Sequence, residues 1–246
     1  MIFESSNGLS TNESFSRINK IPIETRQKVH DLFDLPGDSI ESPSKSKGFI
    51  RLDRFWSETV PRDTKIPTDK EIFLGFDFDA NSKKIICTET TLGGLDYCEP
   101  KSNHLIMLHT EPANSPEDLS LKLGPIHLYK PSKAAVFADN FPTPYTADMQ
   151  AMLRDPSVYA EIIIRLGLND DPATILVAIQ TNQFKDVYDK LWKHELRNLV
   201  LDEKHPLSQT LAEDKLITQD GGIAIYRGFI HLPPEHDDIL RLRKYS

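Results

Sequence analysis

The stretch IFLGFDFDANSKKIICTETTLGGLDYCEPKSNHLIMLHTE, residues 72–111, has the clearest structural pattern in the chain. Residues 72–79 alternate between large apolar side chains and a more polar set, which predicts a strand with one apolar face. Residues 80–82 are of the kind that join hairpin strands, and residues 84–91 are rich in β-branched side chains. Two glycines then turn the chain again, and residues 104–110 form a third predicted strand. Strands joined by such short links favour antiparallel pairing.

The second half of the sequence has a different character. Asp-Pro at the start and Gly at the end of residues 155–167 predict a helix, and the apolar spacing of residues 182–200 predicts another. The apolar run at residues 172–180 fits either a helix or a buried strand. The Asp220-Gly221 pair predicts a closing β-hairpin. We therefore expect an α+β fold, with a mainly antiparallel sheet, a C-terminal group of helices and a closing hairpin.

The N-terminal part of the chain is rich in Ser and Asn and contains a Pro-, Ser- and Lys-rich segment before residue 49. We expect residues 1–48 to form a flexible arm, a short helix that begins after Pro22, and a linker. Residues 49–246 are then expected to form a single α+β domain. Within it, the segment FIRLDRFW after the linker fits a strand or a short helix.

Composition limits the classes of function. The 246 residues contain 39% hydrophobic and 27% charged side chains, which is typical of a soluble globular protein. The net charge of −8 argues against nucleic acid as the partner, and no apolar run is long enough to cross a membrane. We expect no secretory signal peptide, and two cysteines in so long a chain fit a reduced, cytoplasmic protein. The one basic cluster of note is ILRLRKYS at the C-terminus.

Asp77 and Asp79 form the first candidate site. They lie two residues apart on a predicted strand, so their carboxylates point to the same face. Such a pair can hold a divalent metal for hydrolysis or phosphoryl transfer, with Glu89 or Glu111 as a third acid. The alternative interpretation is the solvated face of a strand that runs into an Asp-rich turn.

Cys87 and His109 form the second candidate site. If their strands are neighbours, a thiolate and an imidazole can meet, with Glu111 orienting the ring as in a Cys/His thiol hydrolase. Cys98 is an alternative nucleophile. The alternative interpretation of Cys87 is a small buried side chain.

Two further sets of residues have metal-binding chemistry. Cys87, Cys98, His104 and His109 are ligand types that zinc accepts, although their spacing matches no zinc knuckle. The segment HLPPEHDD near the C-terminus adds His231, which ends a predicted strand and is a candidate to join His109 and Asp77. A polar turn is the alternative interpretation of that segment.

Two functions follow from these patterns. The first is a protein-binding or regulatory module of the cytoplasm without catalytic activity, which would engage its partner through the helix at 182–200, the arm, or a sheet edge. The second is a metal-dependent hydrolase or phosphoryl-transfer enzyme, or a thiol hydrolase, with its site on the sheet of residues 72–111. We expect no resident cofactor in the first case and a divalent metal in the second.

Overall fold

The computed structural model describes a subset of the 246 residues. The described residues are 21–35, 49–67, 70–94, 98, 100–112, 152, 156–166, 173–186, 222–230 and 241–244. Two helices of seven or more residues lie among them, α1 (Ile23–Leu32) and α2 (Asp53–Thr59). The strands are β1 (Phe49–Arg51), β2 (Ile72–Asp79), β3 (Lys84–Leu92), β4 (Ile106–Glu111), β5 (Ala160–Arg165), β6 (Ala173–Gln180), β7 (Ile223–Ile230) and β8 (Arg241–Lys244).

All eight strands belong to one mixed sheet in the order β1-β8-β7-β6-β5-β4-β2-β3. Among these strands β4 and β5 run parallel, and every other neighbouring pair is antiparallel. The antiparallel pairing of the three strands in residues 72–111 is confirmed, although β2 lies between β3 and β4. Within the part of the chain that the structure describes, β3 and β1 therefore form the two edges of the sheet.

One face of the sheet packs against α1 and α2. The rings of Phe33 and Phe55 meet edge to face at 5.5 Å, and Phe55 meets Phe76 of β2 at 5.0 Å. On the same face, the Nε2 atom of buried His30 in α1 lies 2.7 Å from the hydroxyl of Tyr159. Tyr159 precedes β5, so this hydrogen bond attaches α1 to the middle of the sheet.

The centre of the sheet is buried on both faces. Every residue of β6 is buried, and so are the first five residues of β5. A strand covered on both sides needs apolar residues at consecutive positions, which AEIIIR and ATILVAIQ supply. Residues 172–180, which fit either a helix or a strand from sequence, thus form a strand.

The α+β prediction with a C-terminal group of helices is wrong for the described residues, which form mainly sheet. The helix predicted at 155–167 is replaced by β5, because a doubly buried strand and a helix produce the same apolar spacing over so short a run. Of the helix predicted at 182–200, Phe184–Asp186 is helical and the residues after 186 lie outside the described part. The first arm and the turn of the predicted closing hairpin also lie outside it. The second arm is β7, which joins the sheet. The domain boundary at residue 48 stays a prediction.

Candidate functional site: the β3 edge and the His104 cluster

The two edges of the sheet differ. β1 has three residues, and its Arg51 N–H donates to the carbonyl of Phe33 at 3.1 Å, so the residue that follows α1 covers part of that edge. β3 has nine residues, and within the described part of the chain only β2 pairs with it. Two large apolar side chains of β3, Ile86 and Leu92, are 39% and 59% exposed. A long edge strand with exposed apolar residues can form backbone hydrogen bonds with a strand of another chain.

A β-bulge interrupts β3 in its middle. Gly75 of β2 is opposite Glu89, whereas the next residue, Phe76, is opposite Cys87, which leaves Thr88 as the extra residue. An extra residue bends the strand and changes the direction in which the neighbouring side chains point, so that a side chain can reach a group that it would not face from a regular strand. Here the Thr88 hydroxyl lies 2.6 Å from Asp77 Oδ2.

His104 lies against this bulge, in the segment that precedes β4. Its Nδ1 atom is 2.6 Å from Asp77 Oδ2 and its Nε2 atom is 2.8 Å from Glu89 Oε2. The ring is 6% exposed and stands over Gly75, where a Cβ atom would overlap it. An imidazole donates from both nitrogens only when it is protonated, so the two carboxylates select the imidazolium.

The remaining carboxylate oxygens of this group are also hydrogen-bonded. Glu89 Oε1 accepts from the Thr91 hydroxyl at 2.7 Å and from the Lys101 N–H at 2.9 Å. Asp77 Oδ1 accepts from the Leu105 N–H at 3.1 Å. We call Asp77, Thr88, Glu89 and His104 the His104 cluster. It fastens the segment of residues 100–105 to the bulge of β3.

The pKa shifts of His104, Asp77 and Glu89 agree with an ion cluster. Burial by itself would lower the pKa of His104, but the hydrogen bonds and charges of Asp77 and Glu89 outweigh it and raise that pKa above its usual value. Burial would raise the pKa of both carboxyl groups. Hydrogen bonds from Thr88 and His104 to Asp77, and from Lys101 and His104 to Glu89, lower both below their usual values.

Ser102 places a hydroxyl near the same ring. Its Oγ atom is 3.2 Å from His104 Nε2, and with Asp77 on Nδ1 the distances resemble those of a Ser-His-Asp triad. However, Glu89 Oε2 is closer to Nε2, and the protonated ring has no lone pair to accept the serine proton. The arrangement therefore supports a structural ion cluster and not an activated serine.

Asp77 and Asp79 lie on one face, as predicted, but have different surroundings. The oxygens of Asp79 accept from the N–H groups of Asn81 at 3.1 Å and Ser82 at 3.0 Å, which caps the β2–β3 turn. A hydrogen bond with the Ser82 side chain and these two N–H groups lower the pKa of Asp79. The Asp77 oxygens belong to the His104 cluster. The described residues contain no group of three or more His, Cys, Asp or Glu side chains arranged so that they could hold a metal ion. A metal at this pair would have to displace these hydrogen bonds, and the metal hypothesis stays a prediction.

The predicted thiol site is not assembled. Cys87 is opposite Phe76 and packs against the core on the helix-covered face, whereas His109 is opposite Phe73 on the other face. Glu111 accepts from Arg165 of β5 at 2.7 Å, and His109 lies 4.0 Å from Glu161. His231 lies outside the described residues.

The two cysteines are free thiols. Burial raises the pKa of Cys87, and burial together with the charge of Glu71 raises the pKa of Cys98 to about 11. Neither thiol has the lowered pKa of a nucleophile. Among the described residues, Cys87, Cys98, His104 and His109 do not form a group that could hold a metal ion.

Neither the ion pairs of His104 nor the hydrogen bond of Thr88 to Asp77 was predicted from the sequence. His104 was considered only as a zinc ligand, because nothing in a single sequence aligns residue 104 with residues 77 and 89. One signal was present: Gly75 interrupts an otherwise bulky strand, and an isolated Gly in a strand marks a bulge or the close approach of another group. At Gly75 both are found, because the bulge of β3 lies opposite it and the ring of His104 stands over it.

Comparisons with protein-family models, with curated proteins and with solved structures found no match to this chain. Within the described residues, no helix is both long enough and apolar enough to cross a bilayer.

Proposed function

We propose that this protein is a cytoplasmic binding module without catalytic activity, and that a partner protein adds an extended segment to the outer side of β3. The observation that supports this proposal is the contrast between the two sheet edges. β1 is short and hydrogen-bonded to Phe33, the residue after α1, whereas β3 is nine residues long with one described neighbour. Strand addition uses the main-chain groups of such an edge for affinity and alternate side chains for specificity.

The hydrogen-bond pattern of β3 supplies the groups that such a partner needs. The Gly93 N–H donates to the carbonyl of Glu71 at 2.9 Å, on the β2 side. Bonded and non-bonded residues alternate along an antiparallel pair, so the N–H groups of Leu92 and Thr90 point to the outer side. Both of these residues are exposed.

The His104 cluster supports the proposal because it fixes the shape of the edge. The bulge divides β3 into two short regular segments, and the ion cluster holds the bulge in one conformation. A rigid edge loses little conformational entropy when a partner binds, which favours affinity. The two free thiols fit a reducing compartment such as the cytoplasm.

The test begins with peptides selected from a random display library against the full chain, whose affinities are then measured by calorimetry. Thr90→Pro removes one outward N–H, and a proline is tolerated at an edge position that faces away from its neighbour. The matched control is Thr90→Val, which keeps the N–H and removes only the hydroxyl. The lost hydrogen bond and the proline ring should weaken peptide binding by roughly tenfold, whereas Thr90→Val should change it by less than about twofold.

Two outcomes would overturn the proposal. One is that peptides bind Thr90→Pro and Thr90→Val equally well. The other is that the selection recovers no peptide whose binding depends on β3. Circular dichroism on both variants shows that the sheet is intact.

A further inference from the structure

The bulge changes which face of the sheet carries the exposed side chains of β3. The exposed residues of this strand occupy alternate positions and are Lys84, Ile86, Thr88, Thr90 and Leu92. In a regular strand, side chains at alternate positions point to one face. Here Ile86 is opposite Asp77 of β2, whereas Leu92 is opposite Ile72. Because Asp77 and Ile72 are an odd number of positions apart on β2, Ile86 and Leu92 lie on opposite faces of the sheet.

The exposed side chains at the two ends of β3 also differ in chemistry. Leu92 is 59% exposed and lies on the helix-covered face, since Ile72 opposite it belongs to the core cluster on that face. Ile86 is 39% exposed and shares the other face with Lys84, two positions before it. Of the five exposed residues of β3, Lys84 is the charged one. An added strand therefore meets an apolar residue on one face, and an apolar residue with a positive charge on the other.

β2 shows the spacing that a strand needs in order to pair with β3. The residues of β2 that lie opposite Leu92, Ile86 and Lys84 are at positions 72, 77 and 79, because the extra residue of the bulge has no partner of its own. Directly paired residues lie on the same face and within contact distance. Antiparallel pairing is also slightly more stable per residue than parallel pairing. An antiparallel strand that passes the bulge as β2 does has its facing residues at positions i, i+5 and i+7.

We propose that the segment added to β3 is an antiparallel strand of another protein, with apolar residues at positions i and i+5 and an acidic residue at position i+7. This inference rests on the proposed function, because it describes the segment that the β3 edge would bind. The apolar residues cover Leu92 and Ile86, which removes apolar surface from water. The acidic residue lies opposite Lys84, and opposite charges directly across two strands stabilise the pair.

The strand β3 of a second copy of this chain does not fit the same spacing. Its sequence is KIICTETTL, in which Glu89 is the one acid. The positions two and seven residues before Glu89 are Cys87 and Ser82, so a pair of apolar residues at the required spacing does not precede it. The partner is therefore a different protein.

The first test examines the peptides that are selected from a random library and whose binding Thr90→Pro weakens. These peptides should share the spacing of two apolar residues and one acid. One threonine inserted between the two apolar residues of the tightest peptide turns the second half to the opposite face, which should weaken binding by at least roughly tenfold. The matched control carries the same threonine after the acidic residue, and its affinity should change by less than about twofold.

The second test reverses the proposed charge pair at low salt. Lys84→Glu should weaken binding of the tightest peptide by roughly fivefold, because an attraction becomes a repulsion. A version of the peptide with lysine in place of the acid should bind Lys84→Glu more tightly than it binds the wild type. The control is Lys70→Glu, the same substitution at an exposed residue outside β3, which should change affinity by less than about twofold.

Three results would overturn this inference while strand addition at β3 still holds. One is a set of Thr90-dependent peptides without this spacing, or with the spacing in reverse order, which would indicate a parallel strand. Another is equal binding of the peptides with the two insertions. The third is an equal effect of Lys84→Glu and Lys70→Glu, or no rescue by the lysine-bearing peptide. By contrast, peptides that bind Thr90→Pro and Thr90→Val equally well contradict the proposed function itself.

Discussion

Gly75 lies directly beneath the imidazole of His104, so close that a single added methyl group would overlap the ring. The glycine makes room for a histidine that joins β2, β3 and the segment before β4 through two carboxylates. Gly75→Ala should therefore destabilise the protein by about 1–3 kcal/mol, the usual range for overpacking. Urea unfolding measures this change. In a His104→Ala background the same substitution should cost much less, and equal costs in both backgrounds would show that the two residues do not interact.

Replacing His104 removes the cation between two carboxylates. His104→Gln keeps the size of the side chain and one hydrogen-bond donor but leaves buried Glu89 without its counter-charge. Breaking a buried pair in this way costs about 3–5 kcal/mol, and solvent access at Asp77 should keep the loss near the lower end. The control is His109→Gln, the same substitution at a histidine of β4 that lies outside the His104 cluster. Similar losses of unfolding free energy in the two variants would contradict a special role for His104.

The cluster also predicts how stability depends on pH. The pKa of His104 is raised, so its contribution is complete below the usual histidine value of about 6.5 and is lost as pH rises through the raised value. The pKa values of Asp77 and Glu89 are lowered, so their contribution is complete above about 4.5 and is lost as pH falls through the lowered values. Stability due to the cluster should thus be greatest between about pH 4.5 and 6.5. Chemical unfolding of wild type and His104→Gln from well below pH 4.5 to well above pH 6.5 isolates the contribution, because the difference between the two should shrink at both ends of this wider range. A difference that stays constant over the whole wider range would exclude it.

Glu89 should control the protonation of His104. Glu89→Gln removes one negative charge next to Nε2, so the pKa of His104 should fall, as followed by NMR titration of the imidazole. Glu111→Gln serves as the control, because Glu111 pairs with Arg165 and not with His104. An unchanged His104 pKa in Glu89→Gln, or an equal fall in Glu111→Gln, would be evidence against the assigned ion pair.

The sequence predicted the parts of the fold that depend on local pattern. Alternation in residues 72–79 and the turn residues after them located β2 and β3, and Pro22 located the start of α1. Prediction failed at β5, where Ile162 and Ile163 need apolar neighbours above and below the sheet. Segments distant in sequence determine whether β5 is buried on both faces. The spacing of its apolar residues, taken alone, was therefore also compatible with a helix.

The candidate site was predictable only in part. Residues 72–111 contain every member of the His104 cluster, and the sequence analysis singled out Asp77 as a metal-binding or catalytic residue, which stays a prediction. The hydrogen bonds of Asp77 to Thr88 and His104 were not predicted, because a one-residue bulge at Thr88 changes which side chains of β3 face Asp77. A bulge leaves no reliable pattern in a single sequence. In this chain it places Cys87 on the opposite face of the sheet from His109, and Glu89 lies within hydrogen-bonding distance of His104.

The proposal that a partner strand adds to β3 can be tested most directly by amide hydrogen exchange of the full chain with and without a library-selected peptide. We expect the amides of Thr90 and Leu92 to become strongly protected in the complex, whereas those of Thr91 and Gly93, which face β2, should change little. Protection confined to residues away from β3, or equal changes at inward and outward amides, would contradict it.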